Sequence, residues 1–130
     1  FIIKGILSVH DAKKCADIGA RGIVVSHHGG RLNYAIPPLY ILPDIVQEVG
    51  KDMPVFVDCG ICSGMDAYKA LALGATAVSV GTHLIPYIRQ DGAEAVANRI
   101  REMTDELKGA MAYTGVLSLE QFDGSVIHKL

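Results

Sequence analysis

The chain is expected to adopt an α/β fold of parallel strands covered by helices, and three features of the sequence lead there. Apolar, β-branched runs alternate four times with segments whose apolar residues recur at helical spacing. The strand runs read apolar on both faces, as parallel strands buried under helices do. A self-similarity adds to this: Ile18-Gly19-Ala20-Arg21-Gly22-Ile23-Val24-Val25-Ser26 is echoed by Leu73-Gly74-Ala75-Thr76-Ala77-Val78-Ser79-Val80-Gly81. Both stretches pass from a helix end through Gly-Ala into a buried strand. Four βα units are half of an eight-stranded barrel; a small doubly wound sheet is the alternative.

Phe1 to Leu7 forms the first strand, interrupted by Lys4. Ser8, with Asp11 three residues on, has capping-box-like spacing and opens a helix with Ala12, Cys15 and Ala16 on its apolar face. Gly19 ends that helix, and Gly22 to Ser26 is the second strand. A loop rich in Asn, Tyr and Pro leads to a helix over roughly Leu39 to Val49. Pro54 to Val57 is the third strand, closing in Asp58-Cys59-Gly60. Ser63 and Asp66 repeat the cap spacing, Gly74 stops that helix, and Ala77 to Gly81 is the fourth strand. Asp91 and Glu94 open the longest helix, whose inward face is expected to be Val96, Ile100, Met103, Leu107 and Met111.

The 130 residues suit one domain, and at 50% hydrophobic they supply ample core. Twelve basic against 14 acidic residues, a net charge of −2, argue against a nucleic-acid or anionic-membrane footprint. No apolar run reaches the length of a membrane span, and no secretory leader is visible. Three cysteines do not make a disulfide scaffold, which points to a reducing, cytoplasmic setting. The start at Phe1, inside a strand, suggests a fragment of a longer protein. Exposed strand edges would favour an oligomer.

The polar residues fall at strand ends. Ser26-His27-His28-Gly29-Gly30-Arg31 follows the second strand, and Lys4, Asp58, Thr82 and His83 lie within or just beyond the others. In either parallel architecture that rim binds ligands. Histidine can exchange a proton near neutral pH, so His28 or His27 is a candidate general base, the other having a structural role. Arg31 can grip a carboxylate with paired hydrogen bonds. Lys4 can stabilise developing negative charge, or simply reach the rim along an apolar stem. Asp58 can accept hydroxyls of a sugar or ribityl chain. Gly60 through Gly64 and Gly81 can offer backbone N–H groups to a phosphate. Two lesser readings are a redox dithiol at Cys59-Gly60-Ile61-Cys62 and a metal site from His27, His28, His83 and Asp58.

At these residues the chain resembles the FMN-dependent α-hydroxy acid oxidases and dehydrogenases, the family of glycolate oxidase, lactate oxidase and flavocytochrome b2. That family's S-N-H-G-[GA]-R-Q-L-D-Y stands here as Ser26-His27-His28-Gly29-Gly30-Arg31-Leu32-Asn33-Tyr34. Lys4-Gly5 is similar to its flavin-contacting lysine strand, and Lys69-Ala70-Leu71-Ala72-Leu73-Gly74-Ala75 matches its K-A-L-A-L-G-A run. Met111-Ala112-Tyr113-Thr114-Gly115 and Ser118-Leu119 resemble its closing segment. The resemblance implies the carboxyl-terminal half of a TIM barrel, strands five to eight, acting with a missing amino-terminal half. It implies FMN as cofactor and a small 2-hydroxy acid as substrate. By position, it makes His28 the catalytic base and Arg31 the substrate-carboxylate anchor. Lys4, Ser26, Asp58, Gly60, Cys62, Gly81 and Thr82 become flavin contacts, with no metal ligand.

The departures bear on cofactor affinity. His27 replaces the family's Asn, a residue has dropped out after Arg31, and Asn33 replaces an Asp. Cys62 and Thr82 stand where the family has phosphate-binding arginines. Two charge-assisted bonds, each worth roughly 1.5–3 kcal/mol, are thereby lost. A non-catalytic half barrel that binds FMN weakly or only associates with other chains is the competing expectation.

Overall fold

The computed structural model describes residues 1–128. It alternates β1 (Ile3–Ile6), α1 (Val9–Asp17), β2 (Ile23–Val25), α2 (Pro38–Val49), β3 (Val55–Val57), α3 (Gly64–Ala72), β4 (Ala77–Val78) and α4 (Ile85–Thr114). A 3-10 turn, Thr82–Leu84, joins β4 to α4, and two more lie after it, at Leu119–Gln121 and Gly124–Val126. The four strands are parallel in the order β1-β2-β3-β4. That order lacks the reversal defining a doubly wound sheet.

Register explains which side chains reach the core. Ile23, Val25, Val55 and Val57 are at most 1% exposed and pack against Ala12, Cys15, Leu42, Ile45, Ala67 and Ala70 from the helices. The intervening row, Lys4–Val24–Phe56–Ala77, faces the opposite way and is only partly covered. Burial on both faces was the expectation; among the described residues, helices cover one face and leave the other open. Lys4 and Ile6 would normally share a face, being two residues apart. A register shift at Gly5 (φ 101°) separates them, sending Ile6 into the core and Lys4 to the open face.

Both serine caps form as expected: Ser8 accepts from the Asp11 N–H at 3.0 Å and Ser63 from the Asp66 N–H at 3.1 Å. The strands are shorter than the apolar runs suggest. The longest helix begins at Ile85 rather than Asp91, with a break at Gly92 (φ 69°, ψ −149°) that divides it close to the expected start. Ile100 is not inward-facing but 47% exposed. Met103 is buried and Leu107 and Met111 pack beside Ala110 against Tyr68 and Ala72 of α3, as expected, but Arg99, four residues before Met103, takes the inward place and Ile100 is turned to the side.

Gly64 lets those helices meet. A Cβ there would run into the Met103 carbonyl oxygen and the Leu107 nitrogen, both backbone atoms that cannot rotate aside. Gly64→Val is therefore expected to cost roughly 1–3 kcal/mol of stability through overpacking, read as a lower urea midpoint. An unchanged midpoint would show that α3 and α4 do not approach as closely as described.

Candidate active site

A cavity of about 630 Å³ opens beyond the strand ends, within the ~300–1,000 Å³ typical of cofactor sites. Lys4, His28, Arg31, Asp58, Gly60, Cys62, Gly81 and Thr82 all line it. Ser26 is fully buried beneath its floor. His27, Cys59 and His83 border the same space.

The floor is a polar tie across three strands. The Lys4 ammonium lies 2.6 Å from Asp58 Oδ2 and donates to Ser26 Oγ at 2.7 Å. Cys59 Sγ donates to Asp58 Oδ1 at 2.9 Å, accepts from the Gly29 N–H at 3.2 Å, and lies 3.5 Å from Ser26 Oγ. Burial pushes the Asp58 carboxyl up, but hydrogen bonds from Cys59, Lys4 and Ser26, with the Lys4 charge, bring it below its usual value. The Lys4 side chain is 47% exposed, so its head sits at the rim with its charge available to the cavity.

The two histidines at the end of β2 make different contacts. His28 adopts a left-handed backbone (φ 56°), pinned by its N–H donating to Ser26 Oγ at 3.1 Å. Its ring lies over Gly5: a Cβ on Gly5 would come within 2.5 Å of His28 Nε2. Gly5 thus supplies both the bulge that turns Lys4 to the cavity and the space for the imidazole. His27 Nδ1 accepts from the Gly30 N–H at 2.9 Å and closes the glycine turn that carries Arg31.

Other expectations need correcting. The N–H groups between Gly60 and Gly64 are not all free for a phosphate: Asp66 Oδ2 takes that of Cys62 at 3.1 Å, and Glu106 Oε2 that of Gly64 at 2.6 Å. Cys59 and Cys62 are free thiols, and the Cys59 hydrogen is committed to Asp58. Among the described residues, no three His, Cys, Asp or Glu side chains form a metal-binding group, so His27, His28, His83 and Asp58 do not assemble one. Arg99 was missed altogether. It reaches from α4 to the cavity wall, donating to the Cys62 carbonyl at 2.8 Å and to His83 Nε2 at 3.1 Å.

Residues 1–129 match the FMN-dependent dehydrogenase family. The chain belongs to that family. It is 45% identical over 129 residues to an L-lactate dehydrogenase of Pseudomonas syringae pv. syringae (strain B728a), covering 98% of this chain and 34% of that protein. Glycolate oxidase 2 of Oryza sativa subsp. indica is 38% identical over 121 residues, 92% of this chain and 33% of the relative. A solved mandelate oxidase variant carrying a monooxide FMN adduct superposes with a TM-score of 0.91 at 41% identity, covering 95% of this chain and 40% of that one. The chain thus spans about a third of the length of the curated relatives it matches.

FMN is the cofactor of the family, and the cavity suits it. Cβ atoms added at Gly60 or Gly81 would meet nothing within 4 Å, so their backbone borders open space. Lys4, Arg31 and Thr82 offer donors and Asp58 an acceptor to an anionic, polyhydroxylated ligand. No helix among the described residues is long and apolar enough to cross a membrane.

Because Asp58 is held below its ordinary value in the folded chain, its tie contributes stability fully present above the unfolded carboxyl's pKa, roughly 3.9. That contribution is lost as pH falls through the folded value. Melting temperatures of the chain and of Asp58→Asn are therefore expected to differ at neutral pH and converge in acid. A gap that persists at the lowest pH would contradict the assignment.

Proposed function

We propose that this chain is the carboxyl-terminal half of an eight-stranded β/α barrel that oxidises a small 2-hydroxy acid to the 2-oxo acid with FMN. One observation carries the reading most: three strand ends bring His28, Arg31, Lys4 and Asp58 to one cavity. Sequential parallel strands with helices on one face support the barrel half. The partly covered row Lys4–Val24–Phe56–Ala77 then lines the interior. The amino-terminal half of the same barrel is the partner that would cover it and pair the edge strands β1 and β4.

The reaction removes two electrons and two protons across the C2–O bond of the hydroxy acid. FMN supplies the two-electron acceptor. Arg31 lies in the cavity with no ion-pair partner among the described residues, which leaves its guanidinium free for the substrate carboxylate. His28, held over Gly5, takes the hydroxyl proton at its imidazole. Lys4, anchored by Asp58 and Ser26, places a fixed positive charge where electron density accumulates. Ser26 acts from below, joining the lysine to the His28 backbone.

The isolated chain is expected to be catalytically inactive, since it holds only one side of the cavity. In the enzyme completed by its amino-terminal half, anaerobic lactate, glycolate or mandelate should bleach the flavin absorbance. His28→Gln should slow that bleaching by roughly 10²–10⁴-fold, the range for loss of a general base. Turnover by the isolated chain, or bleaching unaffected by His28→Gln, would count against the proposal.

A further inference from the structure

Outside the floor tie, the densest polar cluster centres on Arg99, whose side chain is only 14% exposed. Its guanidinium pairs with Glu102 at 3.0 Å and Glu106 at 3.3 Å, besides the Cys62 carbonyl and the His83 ring. Two carboxylates therefore balance its charge, and little of that charge is offered to the cavity. Its effect on His83 is more specific. A guanidinium nitrogen only donates, so His83 Nε2 must accept, and the ring is neutral with its hydrogen on Nδ1. Tyr87 packs edge-on against the same ring, centroids 5.6 Å apart, so the imidazole is held on two sides.

His83 borders the cavity beside Gly81 and Thr82. Two nearby backbone donors are taken, the N–H groups of Cys62 and Gly64 going to Asp66 and Glu106, while Gly81 and Thr82 line the same end. A held imidazole, rather than a cation, is therefore the side chain that follows Thr82 at this end.

We infer that His83, locked by Arg99 as the Nδ1–H tautomer, is a side-chain donor to the FMN phosphate in this chain. Arg99 is a positioning residue that never touches the ligand. The inference rests on FMN being bound in this cavity and adds which residues recognise its phosphate, using a neutral contact where the sequence lacks arginines.

Flavin-fluorescence quenching with FMN and with riboflavin, which lacks the phosphate, tests this on the chain itself. The chain is expected to prefer FMN. His83→Ala should weaken FMN roughly tenfold or more, the scale of one hydrogen bond to a charged group, and leave riboflavin unchanged. His83→Gln, which keeps a side-chain N–H, should recover part of the loss, and Arg99→Met should reproduce much of it. Ring ¹⁵N shifts of the flavin-free chain should show the hydrogen on Nδ1. An Nε2–H ring, or an FMN-to-riboflavin ratio unmoved by His83→Ala, overturns the inference. If both flavins bind equally, or neither binds, the His83 inference falls for this chain; the FMN reading is tested separately by the flavin bleaching of the completed barrel.

Discussion

The ion pair between Lys4 and Asp58 is the interaction on which the candidate site depends. It joins the first and third strands across the second, and Ser26 of that middle strand completes it. A parallel sheet brings strand ends together but does not aim their side chains. Here the aiming is done by the irregularity at Gly5, which turns Lys4 away from the core that Ile6 enters. Without it, the ammonium would point into the helix layer, where an unpaired charge is costly. The same glycine leaves room for the His28 ring. Cation and imidazole are thus placed by one backbone feature.

Around this floor, α4 acts as a brace. Arg99 grips the loop after β3 and the turn after β4, while Glu106 caps α3 at Gly64. Each contact satisfies a backbone or ring atom that would otherwise be open to a ligand. The result is a wall with fewer free donors than its glycines suggest, and a selective one.

Much of this was legible in the sequence. Ser8 and Ser63 announce their helices because a cap is a local interaction, three residues long. The strand-end position of His28, Arg31, Lys4 and Asp58 follows from the alternation of strands and helices. What was hidden lies in long-range side-chain contacts. Arg99 meets Cys62 across 37 residues and Glu106 meets Gly64 across 42, and no spacing rule reports such pairs. Ile100 was misassigned for the same reason: apolar periodicity cannot show that a partly buried arginine occupies the neighbouring position. Nor could composition show that Cys59, at a left-handed φ of 68°, would knit Asp58 to the Gly29 turn.

The central claim is that FMN is recognised at the strand ends by this set of residues. Amide NMR spectra of the chain titrated with FMN test it most directly. The account predicts shifts concentrated at Lys4, Gly5, His28, Gly29, Gly60, Gly81 and His83, with α1 and α2 unmoved. Saturable shifts on the helical face, or none at the strand ends, would contradict it.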